Sequence, residues 1–198
     1  VLLVLGGLVL SIVFVFGYWF SPKHLNVGYA PEQPIPYSHR LHVDELGMDC
    51  RYCHVNVDKG AHATVPPTET CMNCHKVVKK DSEHIKKIQK SYVDEQPIEW
   101  VKVHRLPDYV FFDHSRHVKT GVSCVSCHGR VDKMDVVRQV EPLSMSWCLE
   151  CHRSPEKHLR PEEHVTDLGW KSKDQEKLGL EIIKKKHVKT REDRKSTR

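Results

Sequence analysis

The 198 residues hold no cysteine outside four short motifs, so no free thiol and no spare pair is left for a nucleophile or a disulfide framework. Apolar residues make up only 39% of the chain, and 29% are charged. A chain of that composition does not bury a large core of side chains. No glycine-rich phosphate loop, carboxylate dyad or nucleophile–base arrangement stands out, which removes the commonest grounds for an enzyme reading. No stretch supplies the βαβ context that a thioredoxin-like redox pair needs. The net charge is only +5, and it is a property of the tail: 171–198 carries 11 Lys and Arg against 5 Asp and Glu. The tail is expected to be solvated, and a nucleic-acid partner is not expected.

All eight cysteines stand in one pattern, Cys-x-x-Cys-His: Cys50, Cys53 and His54; Cys71, Cys74 and His75; Cys124, Cys127 and His128; Cys148, Cys151 and His152. Cys-x-x-Cys pairs also build zinc ribbons, and the intervals between motifs (54–70 and 128–147) fall in ribbon range. The histidines discriminate. With 15 in the chain, one directly after the second cysteine in all four motifs has a chance probability of roughly 3 in 100,000. A zinc site does not require it, whereas c-type haem attachment does: two thiols become thioethers and the adjacent imidazole binds the iron. The motifs therefore predict four covalently attached haem c groups. The fold class that follows is a multihaem c-type cytochrome, mostly short helices and loops wrapped around covalent haems.

Residues 1–20 carry no charge, and at about 1.5 Å rise per residue such a helix matches a hydrocarbon core of roughly 30 Å. The run closes on Tyr18, Trp19 and Phe20, an interfacial aromatic belt. It is too long for a signal-peptide apolar region and lacks a small-residue cleavage site, so an uncleaved transmembrane anchor is expected. The chain starts without methionine, so a basic flank that would orient the helix can lie outside it. Haem is attached to c-type proteins outside the cytoplasm, so the rest of the chain is expected on the outer (periplasmic) face of the cytoplasmic membrane.

After the anchor, 21–36 is rich in proline (Pro22, Pro31, Pro34, Pro36) and reads as an extended linker. Beyond it the chain repeats itself. Tyr37-Ser38-His39-Arg40-Leu41-His42 precedes the first two haem motifs, and Phe112-Asp113-His114-Ser115-Arg116-His117 precedes the last two. This predicts a first dihaem module at 37–80, a haem-free connector at 81–108, a second dihaem module at 109–160 and a charged tail at 161–198. Within the connector, 82–92 has the pattern of an amphipathic helix with Ile85, Ile88 and Tyr92 on one face, and 97–112 reads as extended.

A haem with one histidine needs a sixth ligand to become a low-spin carrier, and an i, i+3 pair can offer two imidazoles to two irons. His39, His42, His114 and His117 therefore join His54, His75, His128 and His152 as candidate iron ligands. His104, in an apolar run, is the next candidate, and His62 a weaker one. Met134 and Met145 read as packing rather than ligation. His24, His84, His158, His164 and His187 read as solvated.

The residues Gly28-Tyr29-Ala30-Pro31-Glu32-Gln33-Pro34-Ile35-Pro36-Tyr37-Ser38-His39, Thr70-Cys71-Met72-Asn73-Cys74-His75, Pro97-Ile98-Glu99-Trp100, Val103-His104-Arg105-Leu106-Pro107-Asp108 and Pro142-Leu143-Ser144-Met145-Ser146-Trp147-Cys148 resemble the ActA family, the membrane-anchored multihaem cytochrome c subunits of bacterial alternative complex III. The resemblance covers 1 to about 155. It implies a class III cytochrome type of fold and a part in quinol oxidation in a respiratory or photosynthetic chain. It also implies a hetero-oligomeric assembly with an iron-sulfur subunit of the molybdopterin-enzyme type, NrfD-like membrane subunits and a monohaem cytochrome c. The family subunit usually carries a fifth haem, for which this chain has no cysteine motif; a longer chain and a four-haem member both stay open.

Bis-histidine irons leave no open position for a substrate, so the expected role is electron relay from membrane quinol to an outer-face acceptor. The alternative is a tetrahaem quinol dehydrogenase of the NapC/NirT group, which also has one anchor and four haems. The His-x-x-His pairs ahead of the first and third motifs favour the class III arrangement.

Overall fold

The computed structural model describes residues 1–21, 24 and 26–189. The chain is helical and loop-rich, and among the described residues its β pairing is one isolated antiparallel bridge between Val122 and Leu159. The first helix, α1 (Leu2–Trp19), has a mean hydropathy of 2.3, and none of its residues is buried. A helix apolar on every side and without a buried residue is long and apolar enough to cross a membrane, at about 1.5 Å per residue.

Among the described residues seven further α-helices follow, all short: α2 (Cys50–Cys53), α3 (Thr68–His75), α4 (Glu83–Val93), α5 (His114–Thr120), α6 (Val125–His128), α7 (Met145–Arg153) and α8 (Gln175–Lys186). A π-helical turn (Arg40–Glu45) and three 3-10 turns (Val131–Lys133, Pro155–Lys157, Glu162–His164) complete the regular structure. Local chemistry sets the boundaries. Asp49 accepts the Arg51 amide, Asp113 the Arg116 amide, Ser144 the Trp147 amide and Asp174 the Lys177 amide, each meeting an orphan donor at a helix start. At the other end of α5, Gly121 takes φ 104°, a left-handed cap that suits glycine.

The side-chain core is small and split in two. Ile35, Met72, Ile85 and Ile88 form one cluster, with Cys71, Ile98 and Trp100 against it. Val57, Val118 and Val165 form the other, edged by Ala63 and Cys124. Each cluster thus ends on a motif cysteine. The helix expected over 82–92 forms with Ile85 and Ile88 buried, while Tyr92 is 37% exposed and lies outside the cluster.

The two repeats are packed together. The His114 and Ser115 amides donate to the carbonyls of Ala61 and Gly60. Asp135 accepts from Ser38 Oγ at 2.7 Å and pairs with Arg40 at 3.0 Å, and Lys133 pairs with Asp44. The proline-rich segment is docked as well: Ile35 is in the first core cluster, and Gln33 bonds both backbone groups of Val101.

The stretch from 161, read as a charged tail and expected to be solvated from 171, is folded as far as Lys189, because its few apolar residues find partners. Val165 is 0% exposed, Leu168 and Ile182 are buried, and α8 lies on the Pro155–Lys157 turn. Charge alone misled here: the lysines of α8 occupy its outer face and the last turn, where they also complement the helix dipole. The rest of that tail, 190–198, lies outside the described residues.

Gly179 makes the docking of α8 possible, since a Cβ there would sit 2.0 Å from the Glu156 carbonyl oxygen. Gln175 Nε2 ties the same helix to the Glu156 and Leu159 carbonyls at 3.0 and 2.6 Å. Gly179→Ala is therefore expected to destabilise the fold by about 1–3 kcal/mol. The half-exposed neighbour Leu180 should tolerate alanine within about 0.5 kcal/mol. Thermal unfolding of the two variants checks the contrast; equal melting temperatures would show that α8 is not docked through Gly179.

Candidate functional site

Each Cys-x-x-Cys-His motif sits on or at the end of one of the short helices α2, α3, α6 and α7, where the i, i+3 spacing turns both thiols to one side of a single turn. Among the described residues no three His, Cys, Asp or Glu side chains converge as a metal cage.

The imidazoles are arranged in facing pairs instead. His42 faces His75 with ring centroids 6.3 Å apart, His114 faces His128 at 6.4 Å, and His117 faces His152 at 6.0 Å. Two imidazoles on opposite sides of one metal, each with a metal–nitrogen bond of about 2 Å, have centroids about 6.2 Å apart. Every pair joins one motif histidine to one histidine of a His-x-x-His turn. His39 is the remaining member of the turns and His54 of the motifs, and after burial His54 is the group that lowers the His39 pKa most.

Hydrogen bonds at Nδ1 orient these rings. His42 Nδ1 bonds the Ser38 carbonyl at 2.9 Å and His117 Nδ1 the Asp113 carbonyl at 2.8 Å, in both cases four residues back. His54 bonds the Thr64 carbonyl at 2.6 Å, His75 that of Val78 at 3.0 Å and His114 that of Ala61 at 2.8 Å. A carbonyl can only accept, so each Nδ1 carries the proton and each Nε2 lone pair is free for a metal. His39 differs: its Nδ1 is buried without a hydrogen-bond partner.

An aromatic ring clamps each turn in the same way. Tyr37 stacks on His42 (4.4 Å, 23°) and meets His39 edge-on (4.9 Å, 85°); Phe112 stacks on His117 (4.5 Å, 29°) and meets His114 edge-on (4.8 Å, 86°). The sequence repeat is thus also a geometric one. Burial pushes the Tyr37 phenol well above its ordinary range, with Cys53, Cys71 and Cys50 close by.

Burial also keeps several of these imidazoles and thiols uncharged. Desolvation lowers His39 to about 4, with His54 adding to it, and lowers His128 to about 3, with His104 adding. Both are neutral bases at pH 7, the form that binds a metal. Burial raises the thiols of Cys53, Cys71, Cys148 and Cys151, and takes Cys127 up to about 12 with the help of Cys151 and Cys148. Cys50 is raised by its hydrogen bond with Cys124, then by burial. Protonated thiols resist oxidation to disulfides.

These neighbour relations order the motifs in space. Cys53 lies by Cys71, Cys50 by Cys124, and Cys127 by Cys148 and Cys151. The spatial order is second, first, third, fourth.

His104 stands apart from the three facing pairs. Its Nε2 lies 3.2 Å from His128 Nδ1, with the rings edge-on at 4.3 Å. His62 is exposed, Met134 is buried in packing, and Met145 is 38% exposed at the start of α7. Sequence reasoning passed over Gln139, which is 1% exposed and bonds Arg105 N, next to His104, through Oε1 at 3.3 Å. No local pattern marks it. The clamp position was legible, because an aromatic residue stands two before the first histidine in both repeats.

No family model matches the chain. It is similar to the menaquinone reductase multiheme cytochrome c subunit of Nitratidesulfovibrio vulgaris, with 36% identity over 120 residues, covering 60% of this chain and 55% of that protein. The chain thus spans about half the length of that relative. The similarity supports a multihaem cytochrome c subunit.

The clamp can be tested by itself. Phe112→Ala removes two aromatic contacts worth about 0.5–1.5 kcal/mol each and is expected to destabilise the chain by roughly 1–3 kcal/mol. Phe112→Tyr should be tolerated, since the same position of the first repeat is Tyr37. Chemical denaturation of both variants measures the difference, and equal loss in both would show that the ring does not act as a clamp.

Proposed function

We propose that this chain is a membrane-anchored electron-transfer subunit carrying four covalently attached haem c groups and relaying electrons between a membrane quinone pool and an outer-face partner. The observation that carries the reading is the set of three facing histidine pairs at 6.0–6.4 Å, each joining a Cys-x-x-Cys-His motif to a His-x-x-His turn.

The eight cysteines would provide the thioethers. His54, His75, His128 and His152 would bind one side of each iron, and His39, His42, His114 and His117 the other. The haems would supply one-electron redox chemistry. The polypeptide does the rest: carbonyl-bound Nδ1 protons fix the tautomers, Tyr37 and Phe112 hold the rings, and burial excludes the charged forms. With two imidazoles committed to each iron, no position is left for a substrate, which favours relay over catalysis.

The helix α1 would anchor the chain with the haem region on the outer face. It contains no carboxylate, histidine or lysine, so it offers no basic side chain to accept the protons of quinol oxidation. A partner would have to hold the quinone site. The ActA resemblance points to a complex of the alternative complex III kind, with an iron-sulfur subunit, NrfD-like membrane subunits and a monohaem cytochrome. The relative's name, a menaquinone reductase, describes electron flow in the opposite sense. Haem potentials would decide the direction here.

The mature protein is expected to exceed its polypeptide mass by four haems in intact mass spectrometry, and zinc in their place would overturn the reading. His117→Ala should leave four haems attached but convert one iron from low to high spin, read by electron paramagnetic resonance. The purified chain should be reduced by dithionite and stay oxidised with a menaquinol analogue; turnover by the chain alone would favour the NapC/NirT type of quinol dehydrogenase.

A further inference from the structure

We infer that His104 is a positioning residue that accepts the Nδ1 proton of His128 and so sets the orientation and donor strength of that imidazole, rather than serving as an iron ligand. The inference rests on the haem reading above, which places His128 Nε2 on the third iron.

If Nε2 of His128 is the ligand, its Nδ1 must carry the proton. The group 3.2 Å away, His104 Nε2, is then the acceptor, and His104 is protonated at Nδ1. The nitrogen that most often binds iron is thereby engaged by another imidazole. His54 and His75 make the corresponding bond to main-chain carbonyls, of Thr64 and Val78. His128 has a side-chain acceptor, a nitrogen lone pair, and its position depends on what holds His104.

The same two residues hold both partners. Gln139 Oε1 takes the Arg105 amide, fixing the chain beside His104, while its Nε2 donates to the Glu141 carbonyl at 2.9 Å and its backbone bonds Tyr29 and Gly28. Val140, next in sequence, fills the space beside Gly129, directly after His128: a Cβ at Gly129 would lie 2.7 Å from Val140 Cγ2, and its φ is +64°. The residues next to acceptor and donor are therefore both packed on one segment, 139–140, which links the placement of the two rings. Such an arrangement is expected of a bond that tunes a ligand, because an acceptor at Nδ1 raises imidazole basicity and favours the oxidised metal.

The test uses the full membrane-anchored protein with its haems. His104→Phe keeps a ring of similar size and removes the acceptor, while His104→Gln retains one. With four haems confirmed by mass, His104→Phe should keep all four irons low-spin and raise one midpoint potential. The expected size is about a tenfold change in the reduced-to-oxidised ratio at fixed ambient potential, or 59 mV for one electron. The same haem should show displaced g-values in electron paramagnetic resonance, and His104→Gln should lie closer to the unaltered protein. A high-spin iron in either variant would identify His104 as an axial ligand and overturn the inference. Four unmoved potentials and g-values in His104→Phe would overturn it too. Should the phenylalanine variant fail to mature, the glutamine variant decides: four low-spin irons support the positioning role and a high-spin iron refutes it. Haem-free protein would instead refute the haem reading itself.

Discussion

The hydrogen bond from an imidazole Nδ1 to a fixed acceptor is the interaction on which the candidate site depends. An unrestrained histidine has two tautomers and a freely turning ring, so three facing pairs would not form from composition alone. Here five rings donate to main-chain carbonyls, two of them just ahead of a His-x-x-His turn (Ser38 and Asp113) and three in the loops after the motifs (Ala61, Thr64 and Val78). Each bond leaves one nitrogen lone pair free and points it. The short helices thus act as brackets for imidazoles.

Packing serves the same end. A split core edged by Cys71 and Cys124 would be a poor foundation for a chain of this length if the side chains were all that held it together. In the proposed function the porphyrins would supply the missing apolar mass between the clusters. Surface ion pairs such as Arg40–Asp135 add little energy, up to about 1 kcal/mol for exposed pairs. Their use is geometric, since Arg40–Asp135 and Lys133–Asp44 tie the first His-x-x-His region to the segment that follows the third motif.

Much of the site was legible because it is made of short-range patterns. Cys-x-x-Cys-His, His-x-x-His and the aromatic residue two positions earlier each depend on one helical turn, and a turn brings i and i+3 together whatever the rest of the fold does. The apolar run of α1 is equally local. Less legible were Gln139 and the environment of His104, which arise from contacts across 34 and 24 positions of sequence separation. The fate of 161–189 was misjudged because its charge count outweighs Val165, Leu168 and Ile182, and a few well-placed apolar side chains suffice to dock a helix.

The sequence by itself determined the chemistry: which thiols are paired, which histidines stand beside them, and that the chain has one long apolar helix. It also paired the motifs along the chain, first with second and third with fourth. Tertiary structure decided how those pairs meet, bringing Cys50 to Cys124 so that the first and third motifs are central and the second and fourth lie outside them. It also turned His104 toward His128. The physical reason is range: helical geometry specifies neighbours within a turn, whereas contacts between distant segments follow from how small apolar clusters and buried polar groups such as Gln139 find partners once the whole chain has folded.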